Sequence, residues 1–167
     1  MVIGLIILGA FCAAISYVAW TYFHEISHVI AASKTAGITK YSINVFPTFS
    51  PRLLFGYCDY DLKRKLTARE QVIVSLAPRI PDAVAVLAFP VVGYLGNVVD
   101  PAFAIMYGVF WGAGIVDLMV GSMGMSPHSD LRKAATDGNI NPWKLRLAGW
   151  GAVLLSVGAA AALFFGG

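Results

Sequence analysis

The chain has 167 residues, of which 58% are hydrophobic and 13% charged, and its mean hydropathy is +0.73. This composition excludes an ordinary soluble domain and predicts an α-helical integral membrane protein with a single domain over residues 1–167. The formal net charge of +3 includes 12 basic residues. Because these lie toward one side of the predicted membrane topology, the charge argues against nucleic-acid binding.

Four apolar segments are long enough to cross a hydrocarbon core of ~30 Å, which needs about 20 helical residues. They cover residues 2–33, 71–95, 101–125 and 143–165. The connection between the second and third segments has no Lys or Arg, whereas the connections on the other side are basic. By the positive-inside rule the basic side is cytoplasmic and both termini are extracytoplasmic. We therefore expect a multi-pass protein of a prokaryotic plasma membrane.

The first segment contains the pentapeptide His24-Glu25-Ile26-Ser27-His28. His24 and His28 lie one turn apart on the same face of a helix, where they can bind one metal ion. Glu25 stands beside them and can act as the base of a metal-dependent hydrolase. An ionisable group in a bilayer core costs roughly 2.5–3.5 kcal/mol. The pentapeptide therefore indicates a metal site rather than a chance grouping.

The stretch from residue 38 to residue 61 has short β-branched and apolar runs separated by prolines. It predicts a β-hairpin or small sheet on the cytoplasmic side, whose edge could bind an extended peptide; a structured loop without a substrate role is the alternative. Before it, Lys34 and Gly37 predict the end of the first helix, with Gly37 in a left-handed cap. Cys12 and Cys58 fall in different environments, so we predict neither a disulfide nor a cysteine pair that binds zinc.

The helix of the second segment is predicted to begin at a capping box, with Thr67 as the N-cap and Glu70 three residues later. Pro78 and Pro81 then interrupt the span, because each removes a backbone N–H from the helix.

Charged residues also stand inside the predicted spans. Arg79 and Asp82 are three residues apart and are expected to pair. Asp117 is an intramembrane carboxylate and therefore a functional candidate. The third span also has glycines that let helices approach closely, and the fourth is expected to be scaffold. These glycines are Gly108, Gly112 and Gly114.

Catalytic zinc takes three protein ligands and leaves a fourth position for water. With two histidines as ligands, the candidates for the third are Glu70, Asp82, Asp117, His128 and Asp130. Glu70 is expected to cap a helix and Asp82 to pair with an arginine. Asp117, His128 and Asp130 stay open as the third ligand.

These features together resemble the site-2 protease family of intramembrane zinc metalloproteases, especially its small members. The resemblance rests on the metal motif of the first span, the strand-like insertion after it and Ser129-Asp130 after the third span. It covers most of the chain in order and topology. It implies that His24, His28 and Asp130 bind Zn²⁺, that Glu25 is catalytic, and that the substrate is a transmembrane protein within the lipid bilayer.

The chain departs from this family around the third ligand. Better-known members have Asn and Pro before the Asp and Gly-Gly after it, whereas here Ser122 stands eight residues before Asp130 and Leu-Arg follows it. The residue that would stabilise the oxyanion is therefore not identified, and the oligomeric state is not predicted. We place Asp130 ahead of Asp117 as the third ligand, with His128 behind both.

A non-proteolytic membrane protein, either a metal-binding protein or a metal transporter, is the alternative. A transporter commonly has related halves with broken helices in corresponding places, which the sequence lacks. A haem site is disfavoured because histidines four apart on one helix cannot reach opposite faces of one ring. A membrane protease for prenylated C-termini would complete its zinc site with a Glu.

Overall fold

A computed structural model describes residues 2–48, 56–99, 101–124 and 129–165 of the chain. These ranges contain six helices and two strands. In chain order they are α1 (Val2–Thr35), β1 (Ile38–Asn44), β2 (Tyr57–Leu62), α2 (Ala68–Leu76), α3 (Arg79–Val99), α4 (Pro101–Met123), α5 (Asp130–Asp137) and α6 (Pro142–Phe165).

Four stretches of the described residues are long and apolar enough to cross a membrane: Ile6–Thr35, Ala68–Leu95, Met106–Met123 and Pro142–Leu163. They overlap all four predicted spans, so the expected helical architecture is confirmed. Large apolar side chains lie on the outside of these helices, and Leu154 and Leu155 are 72% and 68% exposed. A surface of this kind fits contact with lipid tails and would promote aggregation in water.

The first helix ends where the sequence predicts. Lys34 stands in the last turn of α1, and Gly37 has a φ of +72°. This left-handed conformation lets the chain leave the helix and enter β1 without a Cβ clash. The carbonyl of Gly37 then accepts a hydrogen bond from the N–H of Lys63, just beyond β2.

The predicted sheet between the first and second spans is confirmed. β1 and β2 pair antiparallel, with Tyr41 opposite Tyr60, and the register shifts by one residue near the start of β1. The second apolar run of the prediction begins at Leu53, outside the described residues. In the described part of the chain β2 pairs only with β1, so its other edge has no strand beside it.

The second span consists of two helices. Thr67 accepts a hydrogen bond from the N–H of Glu70, and the Glu70 carboxylate accepts one from the N–H of Thr67, which confirms the predicted capping box. The predicted interruption lies at Pro78, between α2 and α3. Pro81 lies in the first turn of α3, where a missing N–H is tolerated.

Helices α3, α4 and α6 pack around a buried apolar cluster of Val86, Leu118 and Val153. Pro90 lies inside α3 and has no N–H to donate to the carbonyl of Val86, four residues earlier. The hydroxyl of Ser156 on α6 donates to this carbonyl instead. A backbone group freed by a proline thus joins two helices.

One of the three glycines of the third span lies at a helix contact. A Cβ added at Gly114 would come within 2.6 Å of the Trp20 ring on α1, whereas one added at Gly108 or Gly112 would meet nothing within 4 Å. Trp20 cannot easily move away, because its ring stacks on Phe110 and its Nε1–H donates to the Phe110 carbonyl at 3.2 Å. The prediction of close approach is therefore correct for Gly114 alone.

We expect Gly114→Ala to lower the free energy of unfolding by about 1–3 kcal/mol, because the added methyl overpacks the contact between α1 and α4. The measurement is denaturant unfolding of the purified protein in detergent. Gly112→Ala on the same helix is the matched control and should unfold at or above the wild-type midpoint. Equal destabilisation by both substitutions would contradict the assigned contact.

Candidate metal centre

His24 and His28 lie on one face of α1, as their spacing predicts, and their ring centroids are 5.3 Å apart. Their Nε2 atoms both approach one oxygen, Asp130 Oδ2, at 3.1 Å and 3.3 Å. Ligand atoms held at about 2.0–2.1 Å in a tetrahedral zinc site lie about 3.3 Å from one another. The three side chains therefore have the spacing of three zinc ligands.

Asp130 is brought to the histidines by α5, of which it is the first residue. The buried residues of this short helix lie on one face, which packs toward α2. The helix closes with a Schellman motif, in which Asn139 takes a φ of +49° and the Ile140 N–H donates to the Ala135 carbonyl at 2.9 Å. Burial alone would raise the pKa of Asp130, but hydrogen bonds from His24 and His28 outweigh it and hold the pKa well below its usual range. Asp130 is therefore ionised and could bind a metal ion together with the two histidines.

The ring of His28 is oriented by a backbone carbonyl. His28 Nδ1 lies 2.8 Å from the carbonyl oxygen of Val74 on α2. A carbonyl can only accept, so Nδ1 carries a proton, and Nε2 is the nitrogen directed at Asp130 and at the candidate metal position. Val74 can serve in this way because Pro78, four residues later, has no N–H to donate to its carbonyl.

The ring of His24 is oriented by a carboxylate. Its Nδ1 faces Asp117 Oδ2 at 3.8 Å, on the side of the ring opposite Asp130. This electrostatic contact favours a proton on Nδ1 and turns Nε2 toward Asp130 and the candidate metal position. The structure thus places Asp117 on the far side of the His24 ring from Asp130. His128, the remaining candidate, lies outside the described residues.

A second group of side chains also has metal-ligand spacing. It consists of His24, Asp82 and Asp117. Arg79 Nη1 lies 3.1 Å from Asp82 Oδ2 and 3.5 Å from Asp117 Oδ2, which confirms the predicted pairing of Arg79 with Asp82. Because a guanidinium already provides the cation here, the group with Asp130 is the better metal site.

Glu25 is 8% exposed and lies beside the centre. Burial of the Cys58 thiol on β2, together with the nearby charge of Glu25, raises the pKa of Cys58 above its usual range. The thiol is therefore neutral at physiological pH and is not poised to bind a metal as a thiolate. The chain can come this close to α1 because Gly56, just before β2, has no side chain. A Cβ at this position would overlap Thr21 on α1.

A cavity of about 490 Å³ opens onto the centre. Its lining includes Gly56, just before β2, and the first four residues of the strand, from Tyr57 to Tyr60. Side chains of a strand alternate between its two faces, so a cavity on one face would be lined by every second residue. A cavity lined by consecutive residues lies instead along the backbone edge of the strand. The edge of β2 that no described strand covers therefore borders the cavity.

Three features of the centre could not be named from the sequence. The partner of His28 on α2 is a backbone carbonyl, so the side chain of Val74 gives no hint of this contact. The only sequence signal is Pro78, which frees the carbonyl of the residue four positions earlier. Cys58 was considered only as half of a cysteine pair, and its contact with Glu25 depends on how β2 packs on α1. Tyr60 lines the cavity, and burial, followed by the nearby Cys58, Asp130 and Glu25, raises its pKa, so it stays a neutral donor.

We expect Asp130→Ala to abolish tight zinc binding and Asp117→Asn to weaken it by about 10- to 100-fold, as for partners behind a ligand. Zinc affinity is measured by competition with a chelator in detergent. Loss of zinc in Asp117→Asn with full binding in Asp130→Ala would contradict the assigned ligand.

We expect Pro78→Ala to weaken zinc binding several-fold, because the restored N–H would compete with His28 for the carbonyl of Val74. Pro90→Ala is the matched control, since it restores an N–H in α3 away from the centre and should leave zinc affinity unchanged. The same chelator competition measures both. An unchanged affinity in Pro78→Ala would show that the carbonyl does not control the His28 ring.

No protein-family model, curated protein or solved structure matches this chain. The resemblance to the site-2 proteases accordingly rests on short motifs and their order along the chain.

Proposed function

We propose that the protein is a zinc-dependent intramembrane endopeptidase that hydrolyses a peptide bond in or near a transmembrane segment of another membrane protein. The observation that carries this proposal is the approach of His24 Nε2 and His28 Nε2 to Asp130 Oδ2, beside the buried carboxylate of Glu25. In an apolar helical bundle such a grouping is costly and is expected to serve a function.

The donor set fits zinc. Two imidazole nitrogens and one carboxylate oxygen are a common ligand set of catalytic zinc, and three protein ligands leave a position for water or substrate. When bound, zinc acidifies water toward a neutral pKa and polarises the carbonyl of the scissile bond. Both histidines are supported through Nδ1, which fixes their rings before a metal arrives.

Glu25 is proposed as the general base and acid. Its carboxylate takes a proton from the attacking water and returns it to the nitrogen of the leaving amine. Cys58 lies near this carboxylate without adding a competing charge, because its thiol is neutral. Tyr60 and Gln71 also line the cavity and supply donors that can stabilise the oxyanion in place of the family's Asn.

The cavity accounts for how a membrane-spanning substrate could reach the centre. A helix hides its carbonyls in internal hydrogen bonds, so a substrate segment must first unwind. The uncovered edge of β2 offers backbone donors and acceptors to an extended chain beside the centre. We infer that this edge holds the substrate.

The charge distribution supports an orientation in the membrane. The basic residues follow the first span and surround the connection between the third and fourth, next to the sheet and the cavity. By the positive-inside rule this end is cytoplasmic and both termini are extracytoplasmic, in the plasma membrane of a prokaryote. Water then reaches the centre from the cytoplasm.

A metal transporter is the second candidate, and one observation favours it. The two groups with metal-ligand spacing share His24, so they could act as successive positions on a path. Arg79 argues against passage, because its cation lies in the second group. Zinc flux into proteoliposomes tests this function directly.

We expect Glu25→Gln to keep zinc but to lower cleavage of a membrane-anchored peptide by about 10²- to 10⁴-fold, because the proton carrier is lost. Cleavage is followed by gel and mass spectrometry in detergent, and chelation should stop it in the wild type. Glu70→Gln, which changes the other glutamate of the chain at a helix cap, should stay active. Full activity of Glu25→Gln would refute the mechanism, and zinc flux that survives this substitution would favour the transporter.

A further inference from the structure

Arg79 stands at the first position of α3, between two carboxylates on different helices. Its Nη1 lies 3.1 Å from Asp82 Oδ2, 3.5 Å from Asp117 Oδ2 and 3.3 Å from the Asp117 carbonyl oxygen. The side chains of Arg79 and Asp82 are only 17% and 1% exposed. Charges removed from water to this degree need partners, and one guanidinium serves two of them.

The surface of α4 has space for this guanidinium. A Cβ at Gly121 on α4 would overlap Arg79 Nη1 and Cζ. Glycine at this position therefore lets the arginine lie against the backbone of α4, one turn after Asp117. The break at Pro78 starts α3 at Arg79, and the side chain of Arg79 lies opposite Asp117 on α4.

Asp117 links this arginine to the metal centre. The same oxygen, Oδ2, faces Arg79 Nη1 at 3.5 Å and His24 Nδ1 at 3.8 Å. The Asp117 side chain is 39% exposed, so without a partner it could turn outward and leave the ring. The guanidinium of Arg79 therefore restrains the Asp117 carboxylate and keeps it facing the His24 ring.

The geometry points to Arg79 as a positioning residue for zinc, which holds Asp117 against His24 and so keeps His24 Nε2 directed at the metal. This inference rests on the proposed function and extends it to a residue that touches neither metal nor substrate. Arginine suits this position better than lysine, because its planar guanidinium can lie against the α4 backbone at Gly121 while it donates to both carboxylates. Asp82 Oδ2 contacts the same nitrogen, Nη1, at 3.1 Å and so holds the guanidinium beside Asp117.

The test is a double-mutant cycle read by metal affinity. We expect Arg79→Gln and Asp117→Asn each to weaken Co²⁺ and Zn²⁺ binding by about 10-fold or more. The double variant should bind no more weakly than Asp117→Asn alone, because both changes remove one connection. Arg79→Lys should retain part of the affinity, and Arg69→Gln on the exposed side of α2 should bind as the wild type does.

A second readout separates positioning from general damage to the fold. The visible absorption of bound Co²⁺ reports ligand geometry and should change in Arg79→Gln and Asp117→Asn but not in Arg69→Gln. Wild-type affinity and spectrum in Arg79→Gln, or losses that multiply in the double variant, would overturn the inference. If Arg79→Gln does not fold, Arg79→Lys and Asp117→Asn complete the cycle.

Failure of this inference can be distinguished from failure of the proposed function. Metal affinity and the Co²⁺ spectrum require no cleavage, so they test Arg79 even in a protein that does not hydrolyse peptides. A wild-type protein that binds zinc tightly without cleaving any membrane-anchored peptide would refute the protease. A wild-type protease with metal binding indifferent to Arg79 would refute only the positioning role.

Discussion

A helix inside a membrane must satisfy every backbone carbonyl within the protein, and prolines in the second span leave carbonyls without their helical donors. The carbonyl freed by Pro78 belongs to Val74 and accepts from His28, and the one freed by Pro90 belongs to Val86 and accepts from Ser156. The first links the broken span to the metal centre, and the second links it to α6. The missing N–H of two prolines, twelve residues apart, thus leaves one carbonyl that orients a histidine of the site and another that joins helices of the core.

The two histidines are supported in unlike ways. His28 depends on a backbone carbonyl, which no substitution of Val74 itself removes. His24 depends on Asp117, a side chain that is itself held by Arg79. The centre therefore combines one support that is set by the helix path with another that is set by buried charge. Errors in packing and errors in charge would therefore disturb the candidate metal centre through different histidines.

Local sequence patterns predict local structure in this protein. Contacts between segments that are far apart in the sequence could be identified only from the three-dimensional structure. The i,i+4 histidines, the cap at Gly37 and the Thr67 capping box depend on neighbours along the chain, and all have the predicted geometry. Asp130 could be preferred only through a family resemblance, because 106 residues separate it from His24.

The same limit explains what the sequence could not decide about other residues. Asp117 was a sound functional candidate, but composition cannot tell a ligand from a group behind a ligand. Which of the third-span glycines touches another helix depends on the rotation of α4, which its nearly uniform apolar surface does not reveal. Only Gly114 of the three meets a neighbouring side chain.

The way β2 borders the cavity has a consequence for selectivity in the proposed protease. A substrate that pairs with a strand edge is aligned by its main chain, and its side chains point alternately to opposite faces. Sequence preferences would then recur at every second residue around the scissile bond, and the pairing register would choose the bond to be cut. Such an enzyme discriminates among membrane proteins by how readily a segment becomes extended more than by any one side chain.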